Sequence, residues 1–173
     1  MSSRKGVRTG ATTTLLALAL AVTGVLTTAP GAQAAVGQGY VNGFDAVGDD
    51  WNDEGVLSAT QHYHSGAAGL WQMVLYADGY LSESGVDCKF GNGTDSATRQ
   101  WQSNHGVTSD GAVGGQTFGK AGGRLFLSSD GIVGFADEAR TVYFVRNTTS
   151  GAYGFRGPVR GFTQADYAYP DGC

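Results

Sequence analysis

DCKFGNGTDSATRQWQSNHGVTSDGAVGGQTF, residues 87–118, decides the fold. It holds two loops of one design, Asp87-Cys88-Lys89-Phe90-Gly91 and Asp110-Gly111-Ala112-Val113-Gly114. In each loop the aspartate is placed to accept hydrogen bonds from nearby backbone amides, while glycine suits the awkward φ that such a turn needs. Phe90 and Val113 then point from the two loops into one core. Between the loops lies a helical segment. Thr94 reads as its N-cap, and Asp95 sits in the first turn, where its charge suits the helix dipole. Residues 95–104 carry Ala97, Trp101 and Asn104 on the inner side, and Gly106 is the stop. A third, short helix is expected over Gln116–Ala121, with Phe118 adding bulk to the core.

Working outward, Ser65 reads as the N-cap of a helix over residues 66–77. Ala68, Trp71 and Leu75 recur at the spacing of one helix face, and Gly79 ends the element. Residues 35–65 read as an acidic, irregular arm with a short helix near Val56–Gln61. After Gly122-Gly123 the pattern changes to short aromatic or β-branched runs separated by turn residues. These are Leu125–Leu127, Ile132-Val133, Thr141–Arg146, Ala152–Arg156 and Pro158–Phe162, an antiparallel meander. Asp130-Gly131-Ile132-Val133-Gly134 echoes the second loop but reads as a hairpin turn. The expected fold class is α+β: a small three-helix module over residues 66–121 with a C-terminal β extension over 122–173.

The same residues resemble the peptidoglycan-binding-1 family, whose pattern runs D-G-x-F-G-x-x-T-x-x-A-V-x-x-F-Q-x-x-x-G-L-x-x-D-G-x-V-G-x-x-T-W. Asp87, Phe90, Gly91, Thr94, Ala97, Gln102, Gly106, Asp110, Gly111, Val113, Gly114 and Thr117 stand at matching positions. Upstream, Trp71-Gln72, Leu75 and Gly79-Tyr80 look like the family's first helix. Three departures stand out: Cys88 replaces a glycine, Thr98 an aliphatic residue, and Gly115 a proline. If position 88 needs φ > 0, the cysteine is mildly strained. The resemblance implies a module that binds cell-wall glycan-peptide. Asp87, Phe90, Trp101, Asp110, Gly111, Val113 and Phe118 are then structural.

Composition bounds the rest. Arg4, Lys5 and Arg8 precede an apolar run from Leu15 to Leu26, shorter than the roughly 20 residues a bilayer span needs. Ala32-Gln33-Ala34 follows, so residues 1–34 read as a secretory signal peptide. In an exported chain the only two cysteines, Cys88 and Cys173, read as a disulfide. Closing a loop of roughly 85 residues would contribute about 4–5 kcal/mol in the chain-entropy model. Three of the 11 Lys/Arg and none of the 15 Asp/Glu precede residue 35, which leaves the remainder distinctly acidic. No basic patch for nucleic acid appears, and no later stretch is apolar enough for a membrane. A Gram-positive wall is itself polyanionic, so recognition there must rest on short-range contacts.

Candidate ligand contacts lie at the two ends of the middle helix. At its start, Asn92, Gly93 and Thr94 offer free backbone amides to a stem-peptide carboxylate, and Arg99 is one turn on. At its end stand Asn104 and His105. The expected partner is peptidoglycan, bound without catalysis and without a cofactor. The alternatives are a cryptic wall hydrolase and a module that docks another exported protein. His62 and His64, alternate residues of a strand, are the only hint of a zinc site and lack a third ligand. Asp50-x-Asn52-x-Glu54-Gly55 partly echoes a calcium loop, but Gln61 stands where the bidentate Glu belongs. The bland reading of those acids is a solvated arm. Tyr143, Tyr153, Tyr167 and Tyr169 of the meander are candidates for added stacking surface.

Overall fold

The computed structural model describes residues 37–136, 139–157 and 161–168. The predicted leader, Cys173 and Tyr169 fall outside them. Helix α1 spans Gly66–Ala77, α2 Asn92–Asn104 and α3 Gly115–Gly122. Five strands follow: β1 Leu125–Leu127, β2 Val133–Ala136, β3 Thr141–Arg146, β4 Tyr153–Arg156 and β5 Phe162–Gln164. They form one sheet in sequence order with every neighbour antiparallel. The α+β reading holds. None of the described helices is long and apolar enough to cross a membrane.

Helix α1 begins where its cap is. The Ser65 hydroxyl accepts from the Ala68 N–H at 3.0 Å, and Gly79 ends the element at φ +79°. The sequence predicts one buried face, yet every α1 residue except Tyr76 is buried. The second cover is the sheet. A Cβ at Gly66 would sit 1.9 Å from the Gln164 carbonyl oxygen, and one at Gly69 2.5 Å from Phe155 Cζ. Only glycine at these two points lets the helix lie directly on β4 and β5.

Aromatic side chains connect the two halves. Trp71 meets Trp101 edge-on at 5.1 Å and Phe118 at 5.8 Å. Trp51 meets Phe118 at 6.0 Å, Phe144 at 5.5 Å and Tyr153 at 5.5 Å. Such offset contacts favour ring quadrupoles as well as burial. Phe90, Trp101, Val113 and Phe118 are all fully buried in this one core. Trp51 belongs to the acidic segment, so that segment is a wedge between module and sheet.

Four local expectations are corrected. No helix forms over Val56–Gln61. Leu57 instead exchanges backbone hydrogen bonds with Val113, both at 2.9 Å, and Ser58–Gln61 turns. Gly91, not Thr94, is the N-cap of α2, because the Thr94 hydroxyl is used elsewhere. Asn104 faces solvent rather than the core. Asp50 and Glu54 are buried rather than solvated. In the meander, β5 occupies Phe162–Gln164, and the predicted start of the last run, residues 158–160, lies outside the described residues. The Asp130-Gly131 echo is a hairpin turn: Gly131 has φ +81° and Leu127 pairs with Val133.

Two buried carboxylates tie the wedge to the sheet. Asp50 accepts from the Tyr153 hydroxyl at 2.5 Å and from Arg146 at 2.7 Å. Glu54 accepts from the Tyr167 hydroxyl at 2.5 Å and from the Asn42 N–H at 2.8 Å. Burial raises the Glu54 carboxyl from its ordinary 4.5 to about 7, against the lowering effect of those hydrogen bonds. The folded state therefore holds this proton more tightly than the unfolded chain. Stability contributed by Glu54 is complete below pH 4.5 and is lost as pH rises to about 7. The full span is on the order of 3 kcal/mol. Thermal melts should show Tm falling across that window in the wild type and a flatter profile in Glu54→Gln. Matching profiles for the two proteins would exclude Glu54 as the titrating group.

Candidate functional site

Two buried glutamines organise the module. Gln72 on α1 donates through Nε2 to Asp87 Oδ1 at 2.9 Å, the Lys89 carbonyl at 3.0 Å and Thr94 Oγ1 at 3.0 Å. Its Oε1 accepts from the backbone N–H groups of Asp87 at 3.0 Å and Cys88 at 2.8 Å. Gln102 on α2 repeats the arrangement around the second loop. Its Nε2 reaches Asp110 Oδ1 at 3.0 Å, the Ala112 carbonyl at 2.8 Å and Thr117 Oγ1 at 3.0 Å. Its Oε1 accepts from the Gly111 N–H at 2.9 Å.

Each loop aspartate accepts from the amide two residues on, Asp87 from Lys89 and Asp110 from Ala112, both at 2.9 Å. This is the geometry the sequence predicts for the paired loops. The residue after each aspartate is left-handed, Cys88 at φ +60° and Gly111 at φ +74°. Cys88 thus carries the strain anticipated for it, and it is fully buried. Sequence reasoning did not assign the glutamines. The signal was present: Trp71-Gln72 and Trp101-Gln102 each precede a loop in which Asp and Thr are seven residues apart.

The scaffold leaves both ends of α2 at the surface, roughly 18 Å apart by helix rise. At the start, Asn92 and Gly93 are exposed, and Gly91 supplies no side-chain cap, so first-turn N–H groups face outward. Thr94, also expected there, is buried and bonded to Gln72. Arg99 is exposed, but its guanidinium already holds Asp95 at 2.9 and 3.3 Å and reaches the Ser109 carbonyl at 3.3 Å.

At the other end the His105 ring stacks on Trp101, centroids 4.0 Å apart and planes at 14°. His105 Nδ1 lies 2.7 Å from the Trp101 carbonyl, which can only accept, so Nδ1 carries a proton. Its Nε2 faces Arg124 at 3.3 Å. Beneath them the buried Asp78 carboxylate accepts from Trp101 Nε1 at 2.6 Å and from two Arg124 nitrogens at 2.6 and 3.0 Å. Asn104 donates to the Tyr80 hydroxyl at 2.8 Å. The structure therefore buries Thr94 and leaves the other five predicted contacts in two patches, Asn92, Gly93 and Arg99 toward the start of α2 and Asn104 and His105 at its end.

His62 has φ +49°, which breaks the strand geometry that would align it with His64. Its Nδ1 lies 2.7 Å from the Tyr167 carbonyl. Among the described residues no group of three or more His, Cys, Asp or Glu is placed to hold a metal ion. Of the tyrosines named for stacking, Tyr143 is exposed, whereas Tyr153 and Tyr167 are buried.

Three short helices pinned by twin loops and twin glutamines form one small module. Residues 69–120 match the family described as "Putative peptidoglycan binding domain". The match covers the module and stops short of the sheet. No curated protein and no solved structure matches the chain.

Proposed function

We propose that the protein is an exported, non-catalytic binder of peptidoglycan that holds the wall through its helical module. The observation that carries this reading is the match of residues 69–120 to the peptidoglycan-binding family. The module's geometry supports it: a rigid polar-hub scaffold presents uncapped amides at the start of α2. Those amides and the helix dipole favour a stem-peptide carboxylate. Arg99 would exchange part of its hold on Asp95 for the ligand. With a net charge of −4 the chain is not drawn to a polyanionic wall from afar. Affinity must come from contacts of a few ångströms.

Co-sedimentation with purified sacculi tests the reading. The mature chain should pellet with them, and Arg99→Ala should weaken binding about tenfold, the scale of one lost charge-assisted hydrogen bond. Unchanged binding by Arg99→Ala, with loss in His105→Ala, would move the site to the far end of α2. A chain that stays in the supernatant ends the proposal. A zymogram with embedded sacculi should show no clearing, and clearing would make the protein a hydrolase instead.

A further inference from the structure

The acidic wedge carries a hollow that the helical module does not use. It measures about 270 Å³, and its lining includes Asp45, Asp49, Asp50 and Asp53. Asn52 lines it as well and rests on the module. A Cβ at Gly115 would sit 2.6 Å from the Asn52 carbonyl oxygen, and one at Gly119 2.5 Å from Asn52 Oδ1. Glycine at position 115, where the family resemblance expects proline, thus lets the wedge lie against the start of α3. The hollow is a surface that this chain adds to the module.

One oxygen in its wall lacks a donor. Asp50 Oδ2 accepts from the Tyr153 hydroxyl and from Arg146. Asp50 Oδ1 is buried too, on a side chain only 1 % exposed, and has no hydrogen-bond partner among the described residues. Buried polar atoms are paired in nearly all cases, so an orphan oxygen marks a place for a donor. A Cβ at Gly43 would stand 2.3 Å from this oxygen, and Gly43 also lines the hollow. The orphan oxygen therefore sits in the hollow's wall, beside a residue with no side chain.

Charge and size narrow the donor. No Lys or Arg occurs between residues 35 and 87. Among the described residues Asp45, Asp49 and Asp53 have no ion-pair partner. Arg146 bonds the Asp45 backbone carbonyl at 3.1 Å rather than its carboxylate. The field of these acids reaches past the hollow: burial chiefly raises the Glu54 carboxyl, and the charges of Asp53 and Asp50 add to it. Such a field favours a cation. A bare metal ion fits poorly, because the hollow is many times larger than an ion and no three acids among the described residues are placed to converge on one. A primary ammonium on an alkyl stem fits better. Its three N–H donors can reach acceptors that are spread apart. Its stem can lie along Phe44, which lines the hollow and is 60 % exposed.

We propose that this hollow binds an alkylammonium group, which donates to Asp50 Oδ1 and to the surrounding carboxylates. The stem peptide of the wall offers such a group in the side chain of its diamino acid, wherever that residue is not cross-linked. This choice of source rests on the wall-binding reading above. The helical module takes a carboxylate of the stem, while the wedge takes its free amine.

The test uses the mature chain and two synthetic stem pentapeptides, one with a free lysine ε-amine at its third residue and one with that amine acetylated. Calorimetry should show about tenfold tighter binding of the free amine, the scale of one charge-assisted hydrogen bond. The double variant Asp49→Asn/Asp53→Asn should erase most of that difference with an unchanged melting temperature. Asp50→Asn, which keeps the shape of the buried side chain, should erase it as well. Equal affinity of the wild type for the two peptides overturns the proposal; if the chain still pellets with sacculi, the module reading stands. A preference that survives in the folded variants places the amine elsewhere and also overturns it. Stoichiometric Ca²⁺ binding that erases the preference, with no effect of Na⁺ at matched ionic strength, marks a metal site and overturns the ammonium assignment. A tenfold preference in a chain that does not pellet with sacculi upholds the hollow and sinks the wall reading. Equal competition by Nα-acetyl-lysine amide and the stem peptide upholds the hollow and moves its source from the wall to lysine-bearing proteins.

Discussion

Gln72→Leu should lower the unfolding free energy by about 4 kcal/mol, a large part of what a domain of this size possesses. The side chain is fully buried, and leucine fills nearly the same volume, so cavity formation is a minor component. The cost is polar. The N–H groups of Asp87 and Cys88 lose their acceptor, and the Lys89 carbonyl loses a donor. Each buried group left unpaired costs about 1–3 kcal/mol. Cys88 worsens the loss, because its left-handed backbone is held in part by that acceptor. Urea denaturation is the measurement. Gln102→Leu, at the twin hub, should cost less, since its Oε1 holds only the Gly111 N–H, and glycine there is unstrained. A Gln72→Leu midpoint within error of wild type would show that the first loop stands without its hub.

Arg124→Met should cost about 3–5 kcal/mol, the usual penalty for breaking a buried ion pair from one side. The Asp78 side chain is wholly inaccessible and Arg124 only 25 % exposed. The guanidinium meets the carboxylate with two nitrogens, lies 4.5 Å from the Phe135 ring centroid and donates to the Ala136 carbonyl. Removing it takes two charged donors from a carboxylate that also accepts from the Trp101 N–H. Asp78→Asn in the same background should recover most of the deficit, because a neutral amide tolerates burial far better. This double-variant cycle separates the cost of the broken ion pair from simple loss of packing. No recovery in the double variant would mean that Arg124 stabilises mainly through its contacts with the sheet. The pair also bears on assembly. Asp78 closes α1 and Arg124 precedes β1, so this bond orients the sheet on the module.

Sequence alone settled what depends on near neighbours. Helix α1 was legible to the residue because Ser65 caps it three positions away and Gly79 ends it. The two loops were legible because each aspartate bonds an amide two residues on. The register of aromatic runs and turns announced the meander. The three-helix module and its family likeness followed from spacing within thirty-odd residues.

Tertiary structure decided whatever joins distant parts. Thr94 looked like a cap because Ser/Thr before a helix usually is one, but Gln72 on another helix competes for its hydroxyl. Asp50 and Glu54 looked solvated because their partners, Tyr153 and Tyr167, lie more than a hundred residues away. A charge or a ring in a sequence carries no sign of what will cover it; only closure of the long-range contacts determines whether it ends in the core or at the surface.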